Sequence, residues 1–196
     1  KIKFYNNYIN NYFSVFSLKQ LQKISKIESI IEDKIIHKKF IFVCGNGGSA
    51  AVANHFLCDF NKGIKKSSNK KILPKVLSLS NSVEMITALA NDESYEKVFV
   101  EQMINYSNSG DCLFVLSCSG KSKNVLNIMK YARRKKMFVI SLTGFNNSQK
   151  IKKLSNINFN VGIKNYGICE DIFQCIMHMI SQSIRRNFST KMHEIL

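Results

Sequence analysis

Five short apolar runs constrain this chain more than any other feature. They are KFIFVC (39–44), PKVLSLS (74–80), DCLFVLS (111–117), MFVISLT (137–143) and INFNV (157–161), spaced by 20 to 37 residues. Each has the length and near-continuous hydrophobicity of a strand buried on both faces. Between most of them lie helix-length segments, 49–62, 83–106, 121–134 and a short one near 148–154. Strands alternating with helices predict an α/β domain, a parallel sheet covered by helices on both sides. Upstream, Tyr5, Ile9, Phe13, Phe16, Leu21, Ile24, Ile30 and Ile35 recur at roughly helical spacing, which predicts two helices with a break near Ser17. Residues 168–186 form a last amphipathic helix, and the polar, basic stretch 61–73 reads as an exposed loop. No repeat or low-complexity linker divides the chain. Its 196 residues, 45% hydrophobic, suit one domain, with residues 1–36 as an N-terminal helical extension.

The formal net charge of +16 raises nucleic acid as a partner. The lysines are spread along the chain, with one cluster at NKGIKKSSNKK (61–71), and no nucleic-acid-reading motif accompanies them. An AT-rich genome gives the same lean toward Asn, Ile and Lys, so a generally basic surface is the expectation and nucleic-acid binding is not. Such a surface also attracts phosphorylated metabolites. The six cysteines form no C-x-x-C pair, which predicts reduced, buried thiols. No apolar run approaches the roughly 20 residues needed to span a bilayer. The start, KIKFYNNYINNYF, is unlike a signal peptide, so the expected location is the cytoplasm, without membrane association.

Ligands of open parallel sheets bind beyond the carboxyl ends of the strands. The segments there are GNGGS (45–49), SNSVEM (80–85), SCSGKS (117–122) and TGFNNS (143–148). Gly45, Gly47 and Ala50 formally fit G-x-G-x-x-G/A, but the acidic residue that a dinucleotide site needs about 20 residues on is missing. GKS at 120–122 fails as a P-loop, because Val115 stands where its first glycine belongs. What remains is two small-residue loops, each leading into a helix whose first N–H groups favour an anion. Ser117, Ser119 and Ser122 add hydroxyls. A phosphate site accounts for three serines better than helix capping, which explains one per loop.

His55 and Asp59 stand four residues apart and share a helix face. Glu170 and His178 lie eight residues apart, two turns along the last helix. Taken separately, each set has a plainer reading, a surface His–Asp pair or a core histidine. Together they form a mixed N/O set that suits Zn²⁺ or a related divalent ion. Spacing leaves their convergence open.

The stretches CGNGGSAAVANHF (44–56), ANDESYEKVF (90–99), SCSGKSKNV (117–125), ISLTGF (140–145) and CEDIFQCIMH (169–178) resemble phosphoheptose isomerases of the sugar-isomerase (SIS) domain class. The motifs run in the family's order across roughly residues 35 to 185. The resemblance implies a flavodoxin-like, five-stranded parallel sheet flanked by helices. It implies a homotetramer with active sites at subunit interfaces, and interconversion of sedoheptulose 7-phosphate and D-glycero-D-manno-heptose 7-phosphate for lipopolysaccharide or capsule. It further implies that Asn46, Gly47, Gly48, Ser49, Asn91, Asp92, Asp59 and Glu170 line the sugar, and that Ser117, Cys118, Ser119 and Ser122 hold its phosphate. His55, Asp59, Glu170 and His178 fall on the zinc ligands, and Asp59 and His178 on the acid–base pair. The chain departs from the better-known members in having Asp59 for glutamate, Glu170 for glutamine and Cys118 for Thr or Ser. Phe60 and Phe173 replace histidines found in one sub-branch. The rival implication is a non-catalytic SIS module that binds a protein partner such as the replication initiator. Against it, all four metal-type positions still hold ligand-capable residues.

Overall fold

The computed structural model describes residues 1–146 and 149–189, so residues 147 and 148 of the expected fourth loop lie outside it. Two helices open the chain, α1 (Ile2–Ser14) and α2 (Leu18–Ile36), with the break at the expected place. Five strands follow: β1 (Phe40–Gly45), β2 (Lys75–Ser78), β3 (Cys112–Ser117), β4 (Phe138–Thr143) and β5 (Ile157–Asn160). All pair in parallel, in the order β2-β1-β3-β4-β5. This is the flavodoxin-like order expected. The strand order reverses between β1 and β3, and such a switch point opens a crevice at the carboxyl ends of those two strands.

The two faces of the sheet build two cores. Side chains alternate along β3, so Cys112, Phe114 and Leu116 face one layer while Leu113 and Val115 face the other. The first layer is covered by α2, by α3 (Gly48–Cys58) and by α9 (Tyr166–Phe188). The second is covered by α6 (Val98–Ile104), α7 (Lys123–Arg134) and α8 (Gln149–Leu154), with α5 (Val83–Asp92) outside α6. Because both faces are covered, β1 and β3 are buried almost throughout, which is why they read as continuous apolar runs.

Two helical expectations need correction. Residues 61–67 are not loop: α3 runs into a π-helical segment (Asp59–Ile64) and one further turn, α4 (Lys65–Ser67). Phe60 and Ile64 are fully buried there, and that burial holds the polar stretch helical. Likewise 83–106 is two helices. None of α5 is buried, whereas α6 turns Val98, Phe99, Gln102 and Met103 into the core, and one straight helix would not present both surfaces. All six cysteines are free thiols, with Cys44, Cys112, Cys118 and Cys169 buried. No helix among the described residues is long and apolar enough to cross a membrane.

Candidate active site

The crevice at the β1/β3 switch point is a cavity of about 430 Å³. Asn46 to Ser49 line it from the loop after β1. Ser117, Cys118, Ser119 and Ser122 line it from the loop after β3, and Tyr166 and Glu170 from α9. Gly47 has φ +58° and ψ −130°, a backbone state open to glycine, and this bend starts α3 directly beyond the strand. The first N–H groups of α3 and α7 belong to the same two loops, so two positive helix ends meet there. Ser122 precedes α7 without making a capping bond, whereas Ser117 and Ser119 accept from the N–H groups of Gly120 and Lys121 and shape the loop. Capping therefore does not use Ser122.

Glu170 occupies this cavity rather than a metal cluster. Its carboxylate accepts from Ser49 Oγ at 3.4 Å and from the Cys118 thiol at 3.9 Å. It rests so close to Gly48 that a Cβ there would lie 2.1 Å from Oε2. A carboxylate at the start of α3 is favoured by the helix dipole. Contact with Cys169, burial and the Glu170 charge push the Cys118 thiol pKa up, against the lowering effect of Ser49, so the group in the cavity is a neutral thiol. Three residues that the sequence reading did not single out also shape the site. Asn124 exchanges side-chain hydrogen bonds with Asn46 at 3.0 Å, and Tyr95 donates to Asn46 Oδ1 at 2.9 Å. Tyr166 supplies a wall. Asn91 and Asp92, expected to line the sugar, are exposed at the end of α5, bonded to each other and outside the cavity lining. Tyr95, three residues beyond, is what reaches the loop.

A second group lies further along α3 and α9. His55, Asp59 and His178 bring one ligand atom each to within 4.8 Å of one another. The two Nε2 atoms are 3.2 Å apart, His55 Nε2 is 3.4 Å from Asp59 Oδ1, and His178 Nε2 is 3.7 Å from Asp59 Oδ2. A tetrahedral ion with Zn–N bonds of ~2.0–2.1 Å has ligand–ligand edges of ~3.3 Å. Two imidazoles and a carboxylate at these spacings therefore fit a divalent cation. Asp59 is at once the end of α3 and the first residue of the π segment, a helix form that recurs at functional sites. Ser181 steadies it by donating to Oδ2 at 3.3 Å. Phe60 and Phe173 are fully buried in the core, so neither stands at this site. Of the four expected ligands the structure assembles three. Glu170 stands two turns before His178, ~12 Å along α9 at 1.5 Å per residue.

The SIS domain family model matches residues 4–144. A phosphoheptose isomerase of Helicobacter pylori is 34% identical over 89% of this chain and 90% of its own. The chain belongs to the phosphoheptose isomerase family. A Buchnera aphidicola phosphoheptose isomerase is 37% identical over 71% of this chain and 69% of its own. Among solved structures, the phosphoheptose isomerases of Neisseria gonorrhoeae and Francisella tularensis superpose with TM-scores of 0.83 and 0.80. They cover 93% and 95% of this chain, and 95% and 98% of their own, at 24% and 22% identity, which establishes the phosphoheptose isomerase fold independently of sequence.

Proposed function

We propose that the protein is an aldose–ketose isomerase of phosphorylated sugars, acting on sedoheptulose 7-phosphate to give D-glycero-D-manno-heptose 7-phosphate for surface-glycan heptose. One observation carries this reading. A phosphate-type cavity and a His/Asp/His group sit on the same two helices, ~12 Å apart along α9. An extended chain reaches ~1.2 Å per bond, so six carbon–carbon bonds plus a phosphate ester span ~10 Å. A seven-carbon sugar can therefore seat its phosphate at one end and bring C1 and C2 to the other.

Ser117, Ser119 and Ser122 and the starts of α3 and α7 bind the phosphate, remote from the reacting carbons, and that binding orients them. Asp59 and His178 are the acid–base pair. One takes the proton from the carbon beside the carbonyl, its electron pair forms the C=C bond, and the carbonyl pair moves onto oxygen. The proton then returns to the former carbonyl carbon, while the hydroxyl on the first carbon gives its proton to the former carbonyl oxygen and becomes the new carbonyl. His55, Asp59 and His178 would hold zinc, which when bound polarises the sugar oxygens and stabilises enediolate charge. Two features support assembly with further copies, to a homotetramer with sites at its interfaces. The His/Asp/His group is half open, with His55 51% exposed. In addition, α1 exposes Phe4, Tyr5, Ile9 and Phe13.

Incubation of the purified chain with sedoheptulose 7-phosphate in heavy water, with and without added Zn²⁺, tests the reading. Solvent deuterium should appear at C1 or C2 of the sugar. No exchange in either condition would reject an isomerase and favour a binding module.

A further inference from the structure

Asn124 is the second residue of α7, and its buried amide bonds to Asn46 in the wall of the cavity at the β1/β3 switch point. Its Oδ1 accepts from the N–H of Val125 at 2.9 Å and from Asn46 Nδ2 at 3.0 Å, and its Nδ2 donates to Asn46 Oδ1 at 3.0 Å. The two ends of an amide are told apart by their partners alone. Here one partner is fixed, because a backbone N–H only donates. Reversing Asn124 would set its Nδ2 against Val125 N–H, donor to donor, so Oδ1 must face Val125. That in turn fixes Asn46, whose oxygen must meet Asn124 Nδ2. The Tyr95 hydroxyl donates to the same oxygen at 2.9 Å. Both lone pairs of Asn46 Oδ1 are then used, and one of its two N–H groups is held by Asn124. What Asn46 has left for a ligand in the cavity is an N–H.

The charge of the cavity gives this polarity its importance. Among the described residues that line it none is lysine or arginine, and Glu170 brings a carboxylate. An anion there depends on neutral donors, hydroxyls and N–H groups. Turned the other way, Asn46 would present an oxygen to the anion and repel it. We infer that Asn124 is a positioning residue: it carries the polarity of the Val125 N–H across to Asn46, so that Asn46 donates to an anionic oxygen of the ligand. The first turn of α7 then serves the cavity through two side chains as well as through its own N–H groups. The inference rests on the reading of this cavity as the phosphate end of the site.

Binding of inorganic phosphate to the intact chain, read by titration calorimetry, tests this in a double-mutant cycle of Asn46→Ala and Asn124→Ala. KM and kcat for sedoheptulose 7-phosphate are measured alongside, and circular dichroism establishes that each variant is folded. Asn124→Ala should weaken phosphate about tenfold, as loss of a hydrogen bond to a charged group does. It should raise KM by a similar factor and change kcat less. In the Asn46→Ala background the same substitution should change phosphate affinity by less than about twofold, because Asn124 acts through Asn46. Asn124→Asp carries the same cycle if Asn124→Ala does not fold. Its carboxylate still accepts from Val125 N–H, yet donates nothing to Asn46 Oδ1, so its penalty should shrink once Asn46 is alanine. An equal penalty in both backgrounds overturns the inference and leaves Asn124 a structural residue of α7, and a folded Asn124→Ala protein with wild-type affinity overturns it as well. Wild-type protein that binds no phosphate also overturns it, while exchange of the sugar proton by that protein leaves the isomerase reading intact. Phosphate binding that follows the cycle without any proton exchange does the reverse.

Discussion

Two neighbouring glycines after β1 resist substitution for different reasons. A methyl at Gly47 meets nothing within 4 Å, but its φ of +58° strains any other residue. Gly47→Ala should cost about 1–3 kcal/mol. A methyl at Gly48 meets the ends of the Glu170 carboxylate at 2.1 and 2.7 Å, which are flexible atoms able to swing away. Gly48→Ala should keep the melting temperature within a few degrees yet raise KM for the sugar phosphate, because the carboxylate that already lines the cavity is pushed further into it. Adding Glu170→Ala should lower KM again, and steady-state kinetics on the double-mutant cycle measures that coupling. At the other end of the site, the His178 side chain is 40% exposed, so its replacement removes chemistry more than packing. If His178 is the acid–base group proposed above, His178→Gln should lower kcat at least about 100-fold, with its thermal melt close to wild type.

Among the elements, the π-helical segment shows what amphipathic pattern reading misses. Asn61 sits in a stretch that looks like a polar loop, yet its side chain acts as a short strand partner. Its Nδ2 donates to the Val76 carbonyl at 2.8 Å and its Oδ1 accepts from Val76 N–H at 3.2 Å. This clamps the free edge of β2 to the helix carrying Asp59, so edge and site are held together. Asn61→Ala leaves both Val76 groups without that partner and should cost about 1–3 kcal/mol, measurable by urea denaturation. The lone apolar pair Phe60 and Ile64 was the available signal for helix here. Their four-residue spacing is too brief to stand out against six lysines in residues 61–75. The split of α5 from α6 falls in the polar stretch 91–97, where no glycine or proline marks the break although the direction of burial changes across it.

At the scale of the whole molecule, burial governs the response to base. Burial is the largest cause pushing Cys112 up to about 12 and Cys44 higher still, and burial together with the Asp171 bond takes Tyr8 to about 12. Unfolded thiols ionise near ~8.5 and unfolded tyrosine near ~10. These groups therefore add stability that is complete below about pH 8.5 and lost as pH rises toward 12. The melting temperature should fall through that window, and the double variant Cys44→Ala/Cys112→Ala should show a shallower fall between pH 8.5 and 11. The exposed face of α1 belongs to this scale too, with Phe13 67% and Phe4 64% exposed. Phe4→Asp/Phe13→Asp should shift the proposed tetramer toward smaller particles in sedimentation velocity; an unchanged particle size would place any interface elsewhere.

By itself the sequence determined the doubly covered parallel sheet and its loops, because apolar period and length are local properties that burial imposes on each segment. It also pointed to His55 and Asp59, four residues apart on one helix. Only the tertiary structure decided that His178 joins them across 123 positions, whereas Glu170, on the same helix as His178, goes to the cavity at the β1/β3 switch point. Chain spacing fixes distances within a helix. It says nothing of which turn of α9 meets which turn of α3, and that registry follows from the packing of Phe56, Phe60, Phe173, Ile176 and Met177 in the core beneath both helices.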